Sequence, residues 1–203
     1  VKESRASGGW TEIYVGYGFW GSGRTNFSVL KGPSVKKFPR AASLGAFTAV
    51  EAGPETLTAS GGPSESTEVF TYTLSDGTVV VFDPAYTTNP TTVRDARVST
   101  VTSPAGGVLT FTYRLESSVP KGPLQAVTNN FGYHLHFEHT SGVNGILTKV
   151  TAINGAAEYC DPASTSCSLS GSWPTVTYST STSSGVTTET VTDALSQTRQ
   201  YKF

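Results

Sequence analysis

The chain has 203 residues, a formal net charge of −1 and 14% charged residues. That balance excludes the basic face of a nucleic-acid binder, and the longest apolar runs, only a few residues each, exclude a membrane-spanning helix. Thr, Ser, Gly and Val occur throughout, as in exposed strands and turns, and the length fits one large all-β domain or two small ones.

The first third, residues 1–66, is expected to form an irregular β cap with long loops. Its aromatic residues crowd together: Trp10, Tyr14, Tyr17, Phe19 and Trp20. Exposed on a sheet they would make a sugar-stacking platform, but large aromatics are buried on average, and a core cluster is the expectation. The stretch GYGFWG, residues 16–21, satisfies the Gly-x-Gly-x-x-Gly dinucleotide pattern. That pattern requires a following helix whose amino terminus holds the pyrophosphate. Here Ser22, Gly23, Arg24 and Thr25 follow, which read as a turn leading to a strand, so no cofactor is expected. The one helix-tolerant stretch, residues 40–51, is short and contains Gly45.

From residue 67 onward the sequence repeats itself. VTSPAGGVLTFTY from Val101, VTNNFGYHLHFEH from Val127 and VTDALSQTRQYKF from Val191 align without gaps. A degraded copy begins at Val150, VTAINGAAEYC, and a partial one, YTLSDGTVVVF, begins at Tyr72. The middle of each copy is turn chemistry. Gly77, Gly106, Gly132 and Gly155 are the expected turn glycines, supplying the positive φ that a hairpin turn or its bulge requires. Beyond the turn the residues alternate, as in a half-buried antiparallel strand. One face carries Leu109, Phe111 and Tyr113, then Tyr133, Leu135 and Phe137, then Tyr201 and Phe203. That face is expected to be buried, with Phe82, Phe111, Phe137 and Tyr201 as the repeat's core aromatics. The other face carries Thr110 and Thr112, then His134, His136 and Glu138, then Thr198, Gln200 and Lys202.

The repeat resembles that of the Rhs, or YD-repeat, proteins of bacteria, which read roughly Val-Thr-Asp-x-x-Gly, four residues, then Tyr-x-Tyr-Asp. Residues 97–113, RVSTVTSPAGGVLTFTY, are close to that pattern, and Val191, Thr192 and Asp193 keep its opening. The likeness covers the last two-thirds well and the first third weakly. It departs from the family at the Tyr-Asp pair, since Tyr113 is followed by Arg114 and His139 by Thr140. The resemblance implies a long sheet that spirals into a hollow shell around a carboxy-terminal effector domain. No such domain is seen here. The chain has no Met and ends on a strand-like pattern at Phe203, so it reads as a piece of a longer protein.

Two sets of residues carry potential chemistry. His134 and His136 project from one side of a strand, roughly 6–7 Å apart along it, and with two cysteines elsewhere a Cys2His2 composition exists. Neither Cys neighbours the His pair in sequence, so no metal is expected, and both imidazoles are placed on a face open to solvent or to the inside of a shell. Cys160 and Cys167 flank six residues rich in Pro, Ser and Thr. A disulfide is favoured there over two free thiols, contributing on the order of 2 kcal/mol by loop closure, and a disulfide fits an oxidising compartment. Gly-x-Ser-x-Gly does not occur, and no carboxylate pair is marked by context.

The expected protein is all-β: antiparallel hairpin repeats in an open, spiralling or sandwich-like sheet, with residues 67–203 one continuous repeat unit after the cap. The expected function is a structural scaffold, not an enzyme, from a secreted or cell-surface bacterial protein. Its partners would be the rest of the parent polypeptide, including further repeats and an effector domain, and cell-surface glycans. A carbohydrate-binding or adhesive module is the rival reading, and a hydrolase the third.

Overall fold

The computed structural model describes residues 2–4, 10–12, 17–22, 26–31, 34–41, 45–60, 69–82, 93–115, 122–141 and 145–203. All the regular structure among them is β, and all the strand pairs are antiparallel. The chain divides into two compact units, Val1–Thr110 and Phe111–Phe203. The expected boundary at residue 66 falls within 61–68, outside the described residues.

The first unit holds a short pair, β1 (Lys2–Ser4) with β2 (Trp10–Glu12), and two larger sheets. One sheet orders β5 (Ser34–Pro39), β4 (Asn26–Lys31), β3 (Tyr17–Ser22) and β9 (Val93–Ala96). The other orders β6 (Thr56–Ser60), β7 (Val69–Thr73), β8 (Val79–Phe82), β10 (Val98–Thr102) and β11 (Val108–Tyr113), the last crossing the unit boundary. Period-2 alternation turns Phe70 and Tyr72 of β7, and Val80 and Phe82 of β8, to one side, and all four are buried. Phe27, Val29 and Phe38 of the first sheet meet them. The rings of Phe27 and Phe70 lie 5.5 Å apart, and those of Phe38 and Tyr72 lie 5.9 Å apart and steeply inclined. The two sheets are thus the layers of a sandwich around an aromatic core, each fully buried ring contributing about 1.5–3 kcal/mol.

The described residues of the helix-tolerant stretch form no helix. Arg40 makes an isolated antiparallel bridge to Phe47, and the buried Arg40 guanidinium sits 4.9 Å from the centre of the Phe27 ring and 5.2 Å from that of Phe47. Stacking on two ring faces offsets part of the cost of burying that charge. Residues 17–22, which carry most of the glycine-rich pattern, run as β3, paired with β4 on one side and β9 on the other. Tyr14 lies outside the described residues, and at Trp10, Tyr17, Phe19 and Trp20 only the backbone is described.

The second unit continues from the end of β11 through β12 (Leu124–Asn129), β13 (Tyr133–His139), β14 (Leu147–Asn154), β15 (Thr175–Ser183), β16 (Val186–Thr192) and β17 (Thr198–Lys202), each paired with the next in sequence from β12 onward. The order is linear and open: β12 and β17 stand at opposite ends of this run.

The repeat is visible as one turn built four times. In residues 74–78, 103–107, 129–133 and 193–197 the fourth residue's N–H donates to the first residue's carbonyl. The distances are 3.0 Å at Gly77, 2.9 Å at Gly106, 3.2 Å at Gly132 and 3.0 Å at Ser196. Each fourth residue takes a left-handed φ: 85°, 84° and 88° at the glycines and 63° at Ser196. In three of the four the side chain of the first residue braces the turn; in 74–78, where the first residue is Leu74, Asp76 Oδ1 accepts from the Thr78 N–H instead. Asn129 Oδ1 accepts from the N–H groups of Phe131 and Tyr133, and Asp193 Oδ1 accepts from the equivalent Leu195 and Gln197. Ser103 Oγ accepts from Gly107. Asn, Asp and Ser are suited to this because their short side chains cap their own turn. A further two-residue turn, Ser184 (φ 52°) and Gly185 (φ 79°), joins β15 to β16. Ser-Gly between two Thr-rich runs was its signal in the sequence.

Three expectations are corrected. Gly155 does sit in a turn, closed by the Ala157 N–H donating to the Asn154 carbonyl at 3.0 Å, but it does not take the left-handed φ, because β14 runs through Asn154, where the other copies have already turned. It is a close-approach glycine instead: its N–H donates to the Gly132 carbonyl at 2.7 Å, and a Cβ there would lie 3.0 Å from that oxygen. Tyr201 is not core. It is 48% exposed on β17, which ends the sheet and has no layer against it among the described residues. Leu109, Tyr133 and Leu135 of the repeat's expected core side are likewise exposed, so that side is covered only in part. Phe82 is fully buried, Phe137 is buried and Phe111 is half-buried.

Two predictions follow from this packing. Phe82→Ala should cost about 3–5 kcal/mol in chemical denaturation, and Tyr201→Ala less than about 1 kcal/mol; equal losses would refute the assigned burial. Because a non-glycine residue in the left-handed region costs about 1 kcal/mol, Ser196→Gly should be neutral or stabilising and Gly132→Ala destabilising by about that amount.

Candidate functional site

Strand alternation places His134 and His136 of β13 on one side, beside Ala126 and Thr128 of β12 and Thr151 and Ile153 of β14. This side is covered. Residues 155–174, between β14 and β15, fold back over it as a roof. His136 is completely buried and His134 is 6% exposed. The expectation that both imidazoles face an open side is therefore corrected. A roof formed by the chain itself, which the alternation pattern does not encode, has turned the polar side of this repeat into its core.

The roof is fastened at several points. Cys160 and Cys167 form a disulfide with their Cα atoms 5.6 Å apart. Within that loop Asp161 accepts from the N–H groups of Ala163 (2.9 Å, side chain) and Ser164 (3.0 Å, main chain), turning the chain back toward Cys167. The buried Gln125 donates its Nε2–H to the Ser164 carbonyl. At the far end Glu158 gathers three donors: the Trp173 indole N–H at 2.6 Å, the Ser170 N–H, and the Gly171 N–H at 3.2 Å. The Trp173 and Ser170 hydrogen bonds hold its carboxyl at about 2, well below the usual range. Trp173 and Pro174 then deliver the chain to β15, and the Pro174 carbonyl accepts from Ala152.

Beneath the roof the two imidazoles meet edge to face, with centroids 5.5 Å apart. His136 Nδ1 lies 3.9 Å from Cys160 Sγ. One nitrogen of His136 and the two sulfurs all fall within 4.8 Å of one another. The Nε2 atoms of His134 and His136 are buried without a hydrogen-bond partner among the described residues. A cavity of about 240 Å³ opens beside His134, between the turn 129–133 and the roof at Tyr159, Cys160 and Pro162. Burial pushes the pKa of His134 down, and the neighbouring His136 adds to this. Burial also lowers that of His136; the Glu138 carboxylate and the nearby Thr165 main chain oppose it, and Lys149 adds to it. Glu138 and Lys149 themselves form a cross-strand ion pair at 2.7 Å. Both imidazoles are accordingly neutral near pH 7, each with a lone pair to offer.

The residues singled out in the sequence thus separate into two groups. Gly77, Gly106 and the aromatics are spread along the sheets and share no site, whereas Gly132 and Gly155 line the cavity beside His134. The His pair and the Cys pair, unconnected in sequence, are brought into contact. A usable signal was the 20-residue interval between β14 and β15, far longer than the other hairpin connections and carrying both cysteines. Comparison with family models, with curated proteins and with solved structures finds no match to this chain.

A histidine held below its ordinary 6.5 in the fold contributes stability that is full above 6.5 and is lost as pH falls from there to the lower folded value. The melting temperature should therefore drop on acidification from about pH 7.5 to about pH 5.5. The drop should shrink in a His134→Gln/His136→Gln double variant. An unchanged slope in that variant would show that other groups govern the dependence.

Proposed function

We propose that this chain is a structural β-repeat scaffold, a stretch of an Rhs-like protein acting at the bacterial surface, in secretion or in toxin delivery, with no catalysis of its own. The observation that supports this reading is the fourfold recurrence of one turn: the same hydrogen bond and the same left-handed φ at the fourth residue in every copy, with a bracing side chain at the first position in three of them. Such recurrence is the mark of units that cannot bury a face alone and are added edge to edge. The disulfide of the roof is consistent with an oxidising envelope location. Its partners under this reading are further repeats of the parent polypeptide and whatever domain they carry, including a carboxy-terminal effector. Cell-surface glycans would be partners only if the chain were an adhesive module.

In a scaffold of stacked hairpins each strand contacts only its neighbours, so stability is a near-neighbour sum. Removing residues 186–203 should leave the far-UV circular dichroism per residue and the melting temperature of the remainder nearly unchanged. A glycan array should return no saturable binding. Collapse of the whole fold on truncation would contradict the scaffold reading, and dose-dependent capture of one glycan class would replace it with the adhesive one.

A further inference from the structure

We propose that the reduced chain binds one zinc-class divalent ion at Cys160, Cys167, His136 and His134, so that the covalent clasp of the roof is interchangeable with a metal clasp. Three of the four donors, from His136, Cys160 and Cys167, are already gathered. Ligand atoms of a tetrahedral zinc site stand roughly 3.3–3.8 Å apart, given metal–ligand bonds of about 2.0–2.3 Å. His136 Nδ1 and Cys160 Sγ are 3.9 Å apart, and the second sulfur lies within 4.8 Å of both. The two sulfurs must separate once their bond is broken, by rotation about their Cα–Cβ bonds on a loop whose Cα atoms are 5.6 Å apart, and the His134 ring must turn toward them. His134 stands against His136 and borders the same cavity as Cys160, which leaves room for that movement.

Two further observations point to a ligand. The imidazoles of His134 and His136 are each more than nine-tenths buried, and each holds an Nε2 without a hydrogen-bond partner among the described residues. A buried polar atom left unpaired costs free energy, and coordination through Nε2 would satisfy that of His134, while His136, ligating through Nδ1, keeps its proton on Nε2. The charge also balances: two thiolates and two neutral imidazoles around a dication give a neutral centre, which is compatible with burial.

The exchange is a complete reaction. A thiol or dithiol reductant breaks the S–S bond and is itself oxidised to a disulfide, leaving two protein thiols. The ion then displaces the two thiol protons to solvent and forms two metal–sulfur bonds. Where thiols are kept reduced the roof would be closed by metal, and in an oxidising compartment by the disulfide.

The test uses cobalt(II) as the spectroscopic probe. The protein is reduced with a dithiol, freed of reductant without oxygen, and titrated. The proposal expects intense tetrahedral d–d bands with a thiolate charge-transfer band, saturating at one equivalent, displaced by zinc, and absent from the oxidised protein. Zinc should also raise the melting temperature of the reduced chain toward that of the oxidised one. His136→Gln should weaken binding about tenfold or more. Because that residue is fully buried, Cys167→Ser, at a half-buried position, provides the second variant; it should keep the far-UV spectrum and lose the tetrahedral bands. Reduced protein that gives only weak octahedral bands or none, or a folded Cys167→Ser variant that binds as tightly as the parent, would overturn the proposal.

Discussion

A β-strand presents successive side chains to opposite sides, so whichever side is covered becomes core and the other remains surface. The architecture of both units depends on that constraint. In the first unit the covered positions of β8, counted from Gly77, are the third and fifth, Val80 and Phe82, and a second sheet bearing Phe27 and Phe38 supplies the cover. In the second unit the covered positions of β13, counted from Gly132, include the second and fourth, His134 and His136, and the cover is the chain's own roof. The same hairpin repeat therefore carries an aromatic core in one setting and an imidazole core in the other.

The turns were legible in the sequence because their chemistry is local. Gly at the fourth position, with Asn or Ser at the first in two of those copies, favours the hairpin without help from tertiary structure. In the last copy Ser196 takes the left-handed φ in place of glycine. Strand type was legible for the same reason. Which side of each strand is buried was not. Leu135 and Tyr133 look like core by hydrophobicity and are exposed, whereas His134 and His136 look like surface and are buried. That outcome depends on where residues 155–174 fold, a long-range event decided by Glu158 gripping Trp173 and by Gln125 reaching Ser164.

Burying two imidazoles has a chemical consequence. Lowered pKa values keep them neutral, and the disulfide above them is in contact with one of them. Loop closure by the disulfide stabilises the roof by on the order of 2 kcal/mol, and the roof in turn removes the imidazoles from water. The fold and the donor cluster are one construction: loosening the clasp hydrates the histidines, and satisfying the histidines favours a closed clasp. The scaffold reading and the metal proposal are independent, because the first rests on the turns and the second on the roof.

The central claim is that the roof seals the histidine side of β13. Carbethoxylation of the native, oxidised protein with diethyl pyrocarbonate, read residue by residue by mass spectrometry, tests it most directly. The account predicts that His134 and His136 are protected by at least about tenfold relative to the denatured chain, in keeping with their burial. Modification of both at the rate of the denatured chain would contradict it.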